Sequence, residues 1–102
     1  MNTPYHNVSN EGLRELIAKT PELQLIDVRT PAEYYEHGHI QGAELKPVQE
    51  IEDWAPTLDK SKPMAFLCKG GVRSVHACHY MVETLGINPE ETPLYNLEDG
   101  MK

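Results

Sequence analysis

Cys68 closes a short apolar run and is followed by Lys69, Gly70, Gly71, Val72, Arg73 and Ser74. A thiol at the end of a strand, a flexible turn and a cation five residues on together suit nucleophilic catalysis through a covalent intermediate. In open α/β sheets the ligand site lies beyond the C-terminal ends of the strands, where Cys68 would sit. The turn leads into the N-terminus of a helix, so successive backbone N–H groups can converge as an anion nest. Gly70 and Gly71 permit the dihedrals such a loop needs. Arg73 and Lys69 add positive charge. Together these features favour a thiolate, and they would equally hold a bound anion. The thiolate can attack sulfur and carry it as a persulfide, or attack phosphorus and carry it as a thiophosphate.

The segments that must position Cys68 alternate between strand and helix. "YHNVS" reads as a short strand, and Ser9 as the N-cap of a helix with Leu13, Leu16 and Ile17 in one apolar stripe. Pro21 closes that helix. Leu23 to Val28 reads as a buried strand. Thr30, Pro31 and Glu33 spell a capping box with proline in the first turn, so a short helix runs to about His37 and Gly38 stops it. "HIQGAEL" suggests a short strand followed by a turn. Val48 to Leu58 has helical spacing interrupted by Pro56. "KPMAFLC" is the next strand. "RSVHACHYMVETLG" is the strongest helix, with Ala77, Cys78, Met81, Val82 and Leu85 in a stripe and Gly86 at its end. "PLYNL" is a last strand. This alternation in 102 residues predicts a single domain with a small, mostly parallel α/β sheet.

Composition narrows the function. A net charge of −7 with no Lys/Arg block argues against non-specific binding of nucleic acid. No apolar run is long enough to span a membrane, and the first twelve residues lack an apolar signal core, so a cytoplasmic location is expected. Cys68 and Cys78 are then expected as free thiols. Cys78 lies on the helix stripe, where a small buried thiol is common. His37 and His39 flank Gly38, and His76 and His79 share a helix, but no Cys/His pair repeats at a structural zinc spacing. No metal site is expected. Tyr34, Tyr35 and Trp54 suit core or rim positions, and Glu50, Glu52, Asp53 and Asp59 a solvated face.

The sequence resembles the single-domain rhodanese, or thiosulfate sulfurtransferase-like, family. The matching pieces are "LIDVRTPAEYYEHGHIQGA" (Leu25 to Ala43), "FLCKGGVRS" (Phe66 to Ser74) and "YNLEDGM" (Tyr95 to Met101), in family order across most of the chain. The resemblance implies a central parallel five-stranded sheet with helices on both faces. It implies a six-residue active loop, Cys68 to Arg73, with Cys68 as nucleophile and the backbone of Lys69, Gly70, Gly71, Val72 and Arg73 as the persulfide cradle. It gives Lys69 a part in handling thiosulfate, and it places Asp27 and Arg29 beside the loop as supports, with Ser74 just behind it. No cofactor is implied. The implied partners are a small anionic sulfur donor and a small-molecule or protein thiol acceptor, for a monomer or weak dimer. The cysteine phosphatases and arsenate reductases share the sheet and the cysteine-loop design; the phosphatases have five residues between Cys and Arg, whereas this chain has four. A persulfide relay module would use the same Cys68 chemistry. The family's usual ending continues past "GM" to a tryptophan, and this sequence stops at Lys102.

Overall fold

In the computed structural model, which describes residues 3–101, the apolar segments become β1 (His6–Val8), β2 (Gln24–Asp27), β3 (Glu44–Leu45), β4 (Met64–Leu67) and β5 (Leu94–Leu97). Their order in the sheet is β1-β5-β4-β2-β3, and every neighbouring pair is parallel. β4 is central and all four of its residues are buried, the signature of a strand covered on both faces. The helices are α1 (Asn10–Lys19), α2 (Pro31–Glu36), α3 (Ile51–Trp54) and α4 (Arg73–Glu83).

Successive side chains of a strand point to opposite faces. Met64, Phe66 and Cys68 therefore join a core with Trp54 of α3 and Ala77, Cys78 and Met81 of α4. Ala65 and Leu67 join a second core on the other face, with Leu13 of α1, Leu25 and Leu97. This is the central parallel sheet with helices on both faces that the resemblance implies. The same alternation sends the Cys68 side chain toward α4.

Local chemistry sets the element ends. The Ser9 hydroxyl accepts from Gly12 N at 3.0 Å and starts α1. The Thr30 hydroxyl accepts from Glu33 N, and the Glu33 carboxylate accepts from Thr30 N, which completes the expected capping box of α2. Three expectations are corrected. The α1 stripe is narrower than its spacing suggests, since Ile17 is exposed. The segment from His39 turns first and pairs afterwards: Gly42 takes φ +91°, Ala43 N bonds to Ile40 O, and only Glu44–Leu45 form a strand. Between Val48 and Thr57 the chain forms a 3-10 turn, the four-residue α3 and a second 3-10 turn. Pro56 has no N–H and its ring collides with the carbonyl four residues back, so the α-helix ends there. Trp54 anchors the segment by donating Nε1–H to Pro47 O at 2.7 Å.

Candidate active site

β4 delivers Cys68 to the C-terminal edge of the sheet, and the chain turns through Lys69–Val72 into α4. Cys68 is 1% exposed. Its Sγ accepts from Gly71 N at 3.0 Å and from Ser74 N at 3.4 Å. Two backbone donors therefore converge on the sulfur, an arrangement that stabilises negative charge on it or on an atom it carries.

The two glycines are not equivalent. Gly71 has φ +80°, and a methyl group placed on it would stand 2.6 Å from Glu98 O. Gly70 has no positive φ, and nothing lies within 4 Å of the same position. The nest depends on Gly71, while Gly70 faces open space. The turn after β5 closes over the loop from the other side. Met101 N donates to Cys68 O at 3.0 Å. Gly100, at φ +73°, lies so close that a methyl group there would be 1.9 Å from Lys69 O. "LEDGM" thus braces the loop by backbone contact.

Behind the sulfur runs a buried polar chain. Ser74 Oγ is 3.2 Å from Cys68 Sγ and hydrogen-bonds Asn96 Oδ1. Asn96 Nδ2 donates to Asn7 Oδ1 at 3.0 Å. Asn96 Oδ1 can only accept, so the Ser74 proton is committed to it, and Ser74 Oγ accepts from the Cys68 thiol while that thiol is protonated. Ser74 and Asn96 are both buried.

The chain carries the family's marks well beyond this loop. Residues 9–102 match the family model for the rhodanese-like domain. The chain belongs to the rhodanese-like family. Over 76 residues it is 40% identical to a Bacillus subtilis protein named "Putative sulfurtransferase YtwF", covering 74% of this chain and 73% of that one. It is 31% identical over 78 residues to a protein of Allochromatium vinosum named "Sulfurtransferase", covering 76% and 72%. Among solved structures, a rhodanese-like domain protein from Staphylococcus aureus superposes with a TM-score of 0.73 at 29% identity, covering 94% of this chain and 87% of that chain.

Within this rhodanese-like domain the remaining candidates take distinct places. Arg73 does not face into the loop as a free cation. Its Nη1 and Nη2 donate to Glu33 Oε1 and Oε2 at 2.7 and 2.9 Å, tying the start of α4 to α2. Those bonds hold the Glu33 carboxyl well below the usual carboxylate range and raise the Arg73 guanidinium further, with the charge of Cys68 a smaller contribution. Asp27 and Arg29 form a buried pair, Nη2 to Oδ2 at 2.8 Å, and Arg29 Nη2 also donates to Gly38 O at 2.8 Å. Their side chains bond to each other, to Arg29 N and to Gly38 O, and none of these bonds reaches Cys68–Arg73. They fix the turn after β2 and the start of the segment leading to β3. Lys69 and Val72 are exposed at the rim.

Cys78 is fully buried against the sheet, and burial pushes its thiol up to about 12. His79 pairs with Glu83 on the surface of α4. Among the described residues no three His, Cys, Asp or Glu side chains gather as a metal site. No described helix is long and apolar enough to cross a membrane. Asn96 and the staple role of Glu33 were missed from sequence. Glu33 was legible as a cap but its second partner is forty residues away. Asn96 reads as an ordinary strand residue, and only its place in the family-like "YNLEDGM" marked it.

Proposed function

We propose that this chain is a sulfurtransferase that carries a sulfane sulfur on Cys68. The observation that carries the reading is the pair of N–H groups from Gly71 and Ser74 aimed at Cys68 Sγ at the end of the central strand. The sulfurtransferase names of relatives up to 40% identical support it. With thiosulfate as donor, the Cys68 thiolate attacks the outer sulfur. The S–S bond of the donor breaks, its electron pair leaves with sulfite, and a persulfide remains on Cys68. A nucleophilic acceptor, cyanide or a thiolate, then bonds to the outer sulfur. The persulfide S–S bond breaks, and its electron pair returns to Cys68 Sγ. Attack by a thiolate or by cyanide requires no general base. Gly71 N and Ser74 N hold Sγ, and the charge of Lys69, exposed next to Cys68 in the chain, suits an anionic donor.

Phosphoryl transfer is the less favoured use of the same loop. A transferred phosphoryl group has three charged oxygens that each want a donor. The loop has four residues between Cys68 and Arg73, and both terminal nitrogens of Arg73 are engaged by Glu33. The deciding experiment incubates the protein with thiosulfate and weighs it with and without dithiothreitol, alongside thiocyanate formation and para-nitrophenyl phosphate hydrolysis. The expected result is one reducible sulfur atom on Cys68, thiocyanate formation, and both lost in Cys68→Ser. Phosphate release that depends on Cys68, with no persulfide from any sulfane donor, would overturn the reading.

A further inference from the structure

A cleft of about 680 Å³ opens beside the loop, between the start of α1, the 37–40 segment and Lys69. Arg14, Arg29, His37, His39 and Lys69 line it, and among the described residues no acidic one does. That segregation is notable in a chain with 16 Asp and Glu against 9 Lys and Arg. Arg29 is neutralised by Asp27, but Arg14 and Lys69 form no ion pair with any described residue. The His39 ring stacks on Tyr34 at 3.7 Å and its Nδ1–H donates to Tyr34 O at 3.0 Å, which leaves Nε2 as the free nitrogen. Uncompensated cations that face one another repel, and a ligand of opposite charge relieves that repulsion.

The cleft is not the cradle of Cys68. Ile40 and Met101, which line it, pack with the α1-side core, whereas the Cys68 side chain lies in the α4-side core. Lys69 stands between the two. An occupant that serves both places has an anionic head and an arm that crosses the loop rim. Because Cys68 is 1% exposed, the arm that takes its sulfur must be slim.

Building on the sulfurtransferase reading, we infer that this cleft binds the carboxylate- or phosphate-bearing end of a small thiol, the acceptor of the Cys68 persulfide. Arg14, His37, His39 and Lys69 supply the recognition, and the thiol arm reaches over Lys69. In the transfer the acceptor's thiolate bonds to the outer sulfur, and the electron pair of the breaking S–S bond stays on Cys68. The head group contributes binding and orientation only.

Binding is testable without turnover by using thiols whose sulfur is methylated. S-methylglutathione offers carboxylates, S-methyl-coenzyme A offers phosphates, and 2-(methylthio)ethanol is a neutral control. Each is titrated into the full ¹⁵N-labelled chain while backbone amide shifts are followed. The expected result is saturable shifts at Arg14, Gly38, His39 and Lys69 with at least one anionic probe and none with the neutral one; the stronger anionic probe names the head group. Arg14→Glu should weaken that binding about tenfold or more, with Arg14→Lys retaining it. Shifts elsewhere, shifts shared equally by the neutral probe, or no shifts overturn the assignment of the cleft. Persulfide formation from thiosulfate on the unmodified protein is scored separately. If it fails while the capped anions bind, the sulfur-transfer reading falls; if it succeeds while they do not bind, the cleft inference falls.

Discussion

Arg73 and Glu33 are joined by two parallel hydrogen bonds of 2.7 and 2.9 Å, so the first residue of α4 is stapled to the first turn of α2. Glu33 at the same time caps α2 through Thr30. Glu33→Gln should therefore loosen both the cap and the end of the Cys68 loop, at a cost of about 1–2 kcal/mol for a partly buried, charge-assisted pair. The pH dependence has a definite sign. The folded protein holds the Glu33 carboxyl below its ordinary 4.5, so its contribution is present above that pH and is lost as the pH falls further. Urea melts of wild type and Glu33→Gln should differ at pH 7, and the gap should narrow as the pH falls below about 4.5, with part of it still present at pH 3. A constant gap would show that ionised Glu33 contributes nothing.

Gly71 and Gly70 make a paired test. Gly71→Val places a side chain at φ +80° against Glu98 O and should remove at least tenfold of the sulfur-transfer rate and about 2 kcal/mol of stability. Gly70→Ala meets open space and should keep a near-wild-type rate. Thermal melts and thiocyanate assays on the two purified variants read the contrast directly. Equal behaviour would refute the assignment of the nest to Gly71.

Cys78 should take no part. Its thiol is fully buried and pushed up to about 12, so it is not ionised near neutral pH. Mass mapping after thiosulfate should find added sulfur on the Cys68 peptide alone, and Cys78→Ala should leave the rate unchanged. Sulfur on Cys78, or a lost burst of persulfide in Cys78→Ala, would assign it a resolving role instead.

Arg29→Met should be among the most destabilising changes to a charged residue. It leaves Asp27 buried without its partner, which costs about 3–5 kcal/mol. The double change Asp27→Leu with Arg29→Met removes both charges and should recover much of that loss. Chemical denaturation of the single and double variants measures the recovery, and a double variant no more stable than the single one would contradict it.

Ser74→Ala deprives Asn96 Oδ1 of its donor and Cys68 of a hydroxyl contact. An unsatisfied buried acceptor costs about 1–3 kcal/mol, whereas replacing both partners by apolar groups is close to neutral. Adding Asn96→Leu should therefore restore stability to Ser74→Ala, and both variants should keep a near-wild-type sulfur-transfer rate, because the donors on Sγ are the backbone N–H groups of Gly71 and Ser74. A double variant no more stable than Ser74→Ala, or a rate lost in both while they stay folded, would contradict this reading.

The sequence by itself determined the elements that short-range chemistry controls. The capping box at Thr30 and Glu33, the N-cap at Ser9 and the α4 stripe through Ala77, Cys78 and Met81 depend on residues within a turn or two of each other and form as their spacing predicts, although α4 ends at Glu83, before Leu85. The place of Cys68 was also legible, because a buried parallel strand followed by a glycine turn and a helix leaves its last residue at the sheet edge. The tertiary structure decided what parallel strand order brings together. β5 inserts beside β4, so the turn after Leu97 lies against the loop, Gly100 touches Lys69, and Asn96 meets Ser74. α2 packs near the start of α4, and Arg73, which its position suggested as a free cation for an anion, is claimed by Glu33. Gly70 and Gly71 look alike as adjacent glycines; only the position of Glu98 O separates the one that must be glycine from the one that is merely exposed. These outcomes rest on contacts between residues tens of positions apart, and local pattern carries no information about which distant group will arrive.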